Sequence, residues 1–361
     1  MVSNPADDGF YLPAEWTRHA RSWIGWPNDV EDRELAADIV RRITKYEPVT
    51  VLAPRGESRN MEALCGRNVR IESLPCEAMF LRDFGPTFLI DGKGGEAAVD
   101  WRFNNWGGRF EIDRGNAELS HHLLSTTEVR RFRSALTLEG TSFCTDGEGS
   151  LIALTSATLD ERRNPNLDKL QAYDLLCRWL GVSRVIWIET EQPADRDTSD
   201  IRRLCAFAGP GHVLVGQLPD GPNAALLDAV SQRLREARSA TGAPLAVTRV
   251  PAIELGGHLA SYTSFYVLNT AVLLPQYGCQ QTDSAARDVI TRCFPGRAIE
   301  LVPCGTLIKR GSSLSRILQY QPARLLDRSK ATLLPKSSWQ RPVPDYVGLL
   351  ETYIARVENE E

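Results

Sequence analysis

The chain has 361 residues, 42% apolar, 24% charged and 8% aromatic, a composition that supports a large buried core and excludes a disordered, fibrous or coiled-coil polypeptide. Forty-two basic residues, six of them Lys, against 46 acidic ones leave a formal charge of -4, which offers no electrostatic footprint for nucleic acid or an anionic membrane surface. No run of 18 apolar residues occurs, and the start, MVSNPADDGFYLPAEW, has neither a basic nor an apolar leader region, so a cytoplasmic protein is expected. Eight cysteines (65, 76, 144, 177, 205, 279, 293 and 304) are scattered without C-x-x-C spacing or a His/Cys cluster. Free thiols are expected, with no metal centre and no cofactor.

No Pro/Gly/Ser linker and no charge run interrupts the sequence, and one domain over residues 1–361 is the expectation. In chain order, the spacing of Leu35, Ile39 and Ile43 predicts a helix over 31–46, followed by short apolar strands at Val49–Ala53 and Val69–Leu74. Leu170, Tyr173, Leu176 and Leu180 share a predicted helical face in 166–180, with Gly181 placed to end the helix. A strand at Val185–Ile188 and one at Val213–Val215 precede a helix over 223–238 that carries Leu227, Val230 and Leu234. Strands at Leu245–Val250 and Ala271–Leu274, a helix near 284–293 and a strand at Ile299–Val302 complete the series. These cycles recur roughly every 50–70 residues, which points to an α/β architecture of similar units around a common centre.

Between the regular pieces lie segments too specific to be filler. They are Phe80-Leu-Arg-Asp-Phe-Gly-Pro86, Asp100-Trp-Arg-Phe-Asn-Asn-Trp-Gly-Gly108, Leu138-Glu-Gly-Thr-Ser142 with Asp146-Gly-Glu-Gly149, and Arg163-Asn-Pro165. With Pro13-Ala-Glu-Trp16, Trp23-Ile-Gly-Trp-Pro27, Ala260-Ser-Tyr262 and Pro275-Gln-Tyr-Gly278, they give the chain its resemblance to the agmatine deiminase and bacterial-type peptidylarginine deiminase family, nearly end to end. That family lies in the guanidino-group-modifying superfamily, so the resemblance implies a five-fold pseudo-symmetric α/β-propeller with the pocket on its axis.

Active members of the family hydrolyse a guanidinium with a Cys nucleophile, a His general acid/base and two carboxylates that hold the planar cation. By this resemblance the first carboxylate is Asp83, and Glu139 is the acid of the family's L-E-G-G. The family's G-H-V-D falls on Ser199-Asp200-Ile201-Arg202, anchored by Leu204-Cys-Ala-Phe207, which puts Asp200 at the His position and Arg202 at the second carboxylate. The family's G-G-G-x-H-C falls on Gly311–Arg316 ahead of Gln319-Tyr-Gln-Pro322, which puts Arg316 at the nucleophile. No His lies between 123 and 211 and no Cys between 305 and 361, so a one-residue slip restores neither group.

Two permanent positive charges at a cation-gripping site repel a free guanidinium. Either Arg202 or Arg316 turns its own guanidinium onto Asp83, Glu139 or Asp200, or at least one Arg faces the cleft ready for an anionic small molecule. The leading expectation is a deiminase-fold protein that has lost guanidine hydrolysis, repurposed for acid/base chemistry by Asp83, Glu139 and Asp200 on a non-guanidine substrate or for binding a small molecule. The alternatives are a non-catalytic scaffold and a hydrolase that works through a relocated Cys. For that last role Cys144, on the same expected strand as Glu139, and Cys279 are the candidates, though both read more simply as buried structural thiols. Trp106 and His258 are expected near the pocket. His212 reads as a turn before a strand, and Trp23, Trp26 and Trp101 read as packing. An oligomer is compatible with the sequence.

Overall fold

Four hairpins and one antiparallel pair made by the two ends of the fold, each continued through a helix into a third, parallel strand, make up the architecture. The computed structural model describes residues 4–326 apart from 67–68, 75, 77, 112–113, 191–198, 222 and 325. Residues 327–361, which the single-domain expectation also spans, lie outside the described residues.

In one blade, Thr87–Ile90 runs antiparallel to Glu96–Arg102, which after the helix Arg114–Ser125 is joined in parallel by Arg130–Thr137. The next blade repeats the pattern with Phe143–Thr145, Ser150–Leu154, the helix Lys169–Leu180 and Arg184–Ile188. A third uses Cys205–Gly209, His212–Gln217, the helix Ala224–Glu236 and Ala246–Leu255, whose far half also pairs with His258–Ser261. A fourth uses Tyr266–Val267, Ala271–Gln276, the helix Gln280–Cys293 and Ala298–Pro303. The fifth joins the two ends of the fold: Leu318–Pro322 lies antiparallel to His19–Gly25, which the helix Val30–Ile43 connects to Val49–Leu52, with Arg70–Glu72 added at the edge. The result is a five-bladed α/β-propeller.

The strands form where apolar runs can be covered on both faces by helices and neighbouring blades, and Val49–Leu52, Ser150–Leu154 and Leu318–Pro322 are buried at every residue. The helices are set by their ends. Asp168 accepts hydrogen bonds from the Leu170 and Gln171 amides while the Gln171 side chain accepts one from the Asp168 amide, and Gly181 closes the last turn at φ 59°; a cap of this kind stabilises by about 1 kcal/mol.

The expected strands and helices are all present, with ends shifted by a few residues. One face assignment is corrected: Leu170 is 65% exposed, because the buried face of its helix follows Ala172, Leu175, Leu176 and Trp179, and two residues turn a helix through about 200°. Among the described residues no helix is long and apolar enough to cross a membrane.

Candidate functional site

The link that leads into each blade crosses near the axis, and the five links are tied into a ring. The Arg82 amide donates to the Arg316 carbonyl (2.9 Å), the Gly140 amide to the Asp83 carbonyl (3.2 Å), the Ile201 amide to the Thr141 carbonyl (3.0 Å) and the Ser315 amide to the Ser264 carbonyl (3.2 Å). The remaining step is made by side chains, with the Thr263 hydroxyl donating to the Arg202 carbonyl at 2.6 Å and that of Ser264 at 3.3 Å. The approach is tight enough that a Cβ on Gly140 would stand 2.4 Å from the Arg82 carbonyl oxygen, so only glycine fits there.

This ring carries Asp83, Glu139, Asp200 and Arg316 to one place, each at most 1% exposed. The Arg316 guanidinium lies on the Asp83 carboxylate, with Nη2 2.5 Å from Oδ2 and Nε 3.1 and 3.0 Å from the two oxygens. It also donates to the Ser199 hydroxyl (3.1 Å) and the Gly311 carbonyl (3.2 Å), and its carbon sits 4.8 Å from the Phe80 ring centre and 5.9 Å from that of Trp106. Burial works to lower the Arg316 pKa, but Asp83, then Asp200 and Glu139, outweigh it and raise it above the usual arginine value. Asp83 is completed by the Trp106 indole N–H (2.8 Å) and the Thr141 hydroxyl (2.6 Å).

Trp106 reaches Asp83 from a left-handed turn in which Asn105 and Trp106 have φ values of 53° and 56° and Gly107 and Gly108 follow at 81° and 67°. Left-handed backbone costs a residue with a Cβ about 1–2 kcal/mol. The turn is held by the Asn104 side chain accepting from the Gly107 amide at 2.9 Å and by edge contacts of Trp106 with Phe80, Phe103 and Phe110.

Glu139 receives the Arg163 Nε at 2.8 and 3.2 Å and the Ser142 hydroxyl at 3.2 Å. Burial raises its pKa, with Arg163 opposing and Asp83 adding to the rise. Asp200 accepts from the Arg202 amide at 3.0 Å and the Ser313 hydroxyl at 2.7 Å.

Arg202 is turned elsewhere. Its guanidinium donates to the carbonyls of Thr263 (3.1 Å) and Phe265 (2.8 Å) and to Glu15 (2.6 Å), and Glu15 is also paired with Arg82. Burial pushes the Glu15 pKa up, but Arg202 and Arg82 together outweigh it and hold the carboxyl at about 2. The expectation that either Arg could cover the axial carboxylates therefore resolves to Arg316 alone. Sequence reasoning missed Glu15, Arg82 and Arg163, although each lies inside a motif quoted for the resemblance. The available signal was charge balance, since a buried Arg202 needs a carboxylate that Asp83 cannot also supply.

His258 opens its strand opposite Leu255 and is partly exposed; among the described residues it takes no part in the hydrogen bonds around Asp83, Glu139 and Asp200. Two cysteine expectations are corrected. Cys144 is buried but lies on Phe143–Thr145, while Glu139 lies in the link before that strand. Cys279 is exposed rather than buried, capping the surface helix Gln280–Cys293. Among the described residues no three His, Cys, Asp or Glu side chains form a group that could hold a metal ion.

The model of the Porphyromonas-type peptidyl-arginine deiminase family matches residues 11–322. The chain belongs to that family. A relative from Streptomyces avermitilis is 34% identical over 348 residues, which cover 89% of this chain and 99% of the other. The agmatine deiminase of Stutzerimonas stutzeri is 30% identical over 362 residues, 90% of this chain and 98% of that one. Among solved structures, the agmatine deiminase of Enterococcus faecalis superposes with a TM-score of 0.81 at 24% identity, covering 90% of this chain and 98% of that chain. Its likeness supports the propeller fold of this family member.

Proposed function

We propose that this member of the peptidyl-arginine deiminase family has lost guanidine hydrolysis and that Arg316 is its built-in substitute for the guanidinium substrate. The observation that carries this reading is the buried Arg316–Asp83 pair, in which a guanidinium lies on a carboxylate, against an aromatic face, with no solvent exposure on either side chain. A bound agmatine or arginine side chain would present the same group to the same acid, so the site is already satisfied. By the resemblance, the nucleophile and the general acid/base are replaced by Arg316 and Asp200. The protein is then a binding protein or scaffold built on a deiminase fold. Acid/base reuse of Asp83, Glu139 and Asp200 is disfavoured, because each is sealed from solvent and already satisfied by an Arg or Ser partner.

Incubating the purified chain with agmatine and with an arginine-containing peptide, and assaying released ammonia, tests the reading. No ammonia above the uncatalysed background is expected. Robust turnover abolished by Cys144→Ser or Cys279→Ser would replace it with hydrolysis through a relocated thiol.

A further inference from the structure

Cys144 and Cys205 take no part in the axial charge pairing, yet the fold brings them together from different blades. Cys144 sits in the first strand of the second blade, Phe143–Thr145, and Cys205 opens the first strand of the third, Cys205–Gly209. The links that lead into those strands are tied by the bond from the Ile201 amide to the Thr141 carbonyl at 3.0 Å. From that bond the two chains run on side by side, so that the strands touch and both cysteines join one buried apolar cluster with Ile152, Ile201 and Phe207.

Both are free thiols, and they share a hydrogen bond across the seam between the blades. That bond, and burial after it, push Cys205 well above the ordinary thiol range against the pull of Arg202. Two sulfurs in hydrogen-bond contact need only close to about 2.05 Å, by small rotations of their side chains, to form a disulfide. Their surroundings set an order between them. Cys205 has no exposure, whereas Cys144 keeps 8% and borders a cavity of about 30 Å³ beside Thr145 and Phe207. A space of that size admits about two water molecules, and so a two-oxygen peroxide but not the body of a bulky disulfide reagent.

We propose that Cys144 and Cys205 form a peroxide-oxidisable pair, a covalent modification site at which hydrogen peroxide joins the second blade to the third. Cys144 takes the first step: its thiolate sulfur attacks one peroxide oxygen, the O–O bond breaks, and the other oxygen leaves as hydroxide, which takes up the thiol's proton and becomes water. Cys144 is then a sulfenic acid. The Cys205 sulfur attacks the Cys144 sulfur, the S–O bond breaks, and the departing hydroxide leaves with the Cys205 proton as a second water. Two thiols have given up two electrons, and one peroxide has been reduced to two waters. The staple closes a loop of about 60 residues and holds together the links that carry Glu139 and Asp200, whatever occupies Asp83. A cross-link over such a loop should raise the thermal midpoint of a chain this size by about 4–6 °C.

The test treats the purified full chain with hydrogen peroxide or with oxidised glutathione, blocks the remaining thiols in denaturant and maps the peptides without reduction. Peroxide should yield a peptide pair linked through Cys144 and Cys205, together with a midpoint about 4–6 °C higher that dithiothreitol returns to its starting value. Oxidised glutathione should leave both as thiols. In Cys205→Ala the reaction should stop at the first step, and dimedone added with the denaturant should label Cys144; if that variant does not fold, the peptide map of the unaltered chain decides the matter. Peroxide that oxidises the exposed Cys279 while Cys144 and Cys205 stay unlinked would overturn the proposal. So would a cross-link made equally well by oxidised glutathione, or a folded Cys205→Ala in which dimedone never reaches Cys144.

Discussion

Replacing Arg316 with Ala is the sharpest test of self-occupancy. The substitution removes a guanidinium whose side chain, like that of Asp83, has 0% exposure, and leaves the acid with the Trp106 and Thr141 donors. Breaking one side of a buried pair costs about 3–5 kcal/mol, and the two surviving donors place the loss toward the lower end. With an unfolding entropy of about 2.1 cal/mol/K per residue, a chain of this length should melt about 4–7 °C lower. The vacated space is shaped for a guanidinium between Asp83 and Phe80, so guanidinium, agmatine or arginine should now bind. Ligand at about one hundred times its Kd returns about 2.7 kcal/mol, or about 3–4 °C of midpoint. The unaltered protein should not respond to the same ligands. Thermal unfolding of both proteins, with and without each ligand, measures the loss and the rescue together. A variant that melts with the parent and ignores all three ligands would refute the substitute-ligand reading.

Three further outcomes follow from named contacts. Glu15 titrates at about 2 in the fold against an ordinary 4.5, so its stabilisation, on the order of 3 kcal/mol, is complete above pH 4.5 and is lost as the pH falls toward 2; the unfolding free energy measured across that range should lose this contribution in Glu15→Gln. Thr141→Val deletes a hydroxyl that donates to the Asp83 carboxylate at 2.6 Å and should cost about 1.5–3 kcal/mol in denaturant unfolding. Gly181→Ala places a Cβ 2.2 Å from the Phe10 carbonyl oxygen on a backbone of φ 59°, and should lower the thermal midpoint by more than the about 1 kcal/mol of left-handed strain alone.

The blades were partly legible in the sequence and for a physical reason. Val49–Leu52 and Ala271–Gln276 are parallel strands covered on both faces, so their apolar runs stand out. Leu318–Pro322, sequence LQYQP, does not. Its glutamines are buried because Trp23 and Glu96 meet the Gln321 amide at 3.2 and 2.7 Å, partners far away in the chain that no local pattern encodes. The five-fold plan came from the family resemblance. Within the site, the carboxylates and Arg316 were readable as types at motif positions, and their pairing followed from charge. Which Arg took which acid was not readable, because Glu15 competes for Arg202 from the opening segment.

The closing strand sets an order on folding. Strand Leu318–Pro322 completes the blade that begins at His19, and Arg316 stands just before it. A chain emerging from the ribosome has made Asp83, Glu139 and Asp200 long before it makes their last counter-charge. Until residue 316 arrives, Asp83 and Asp200 belong to a ring with one link missing, and such a ring leaves them open to water. Sealing of the axis is therefore a late event, joined to the pairing of strands separated by nearly the whole described chain. Long-range closure of this kind is slow. A protein truncated before Arg316 should behave as an open, hydrated arc of blades rather than as a smaller propeller.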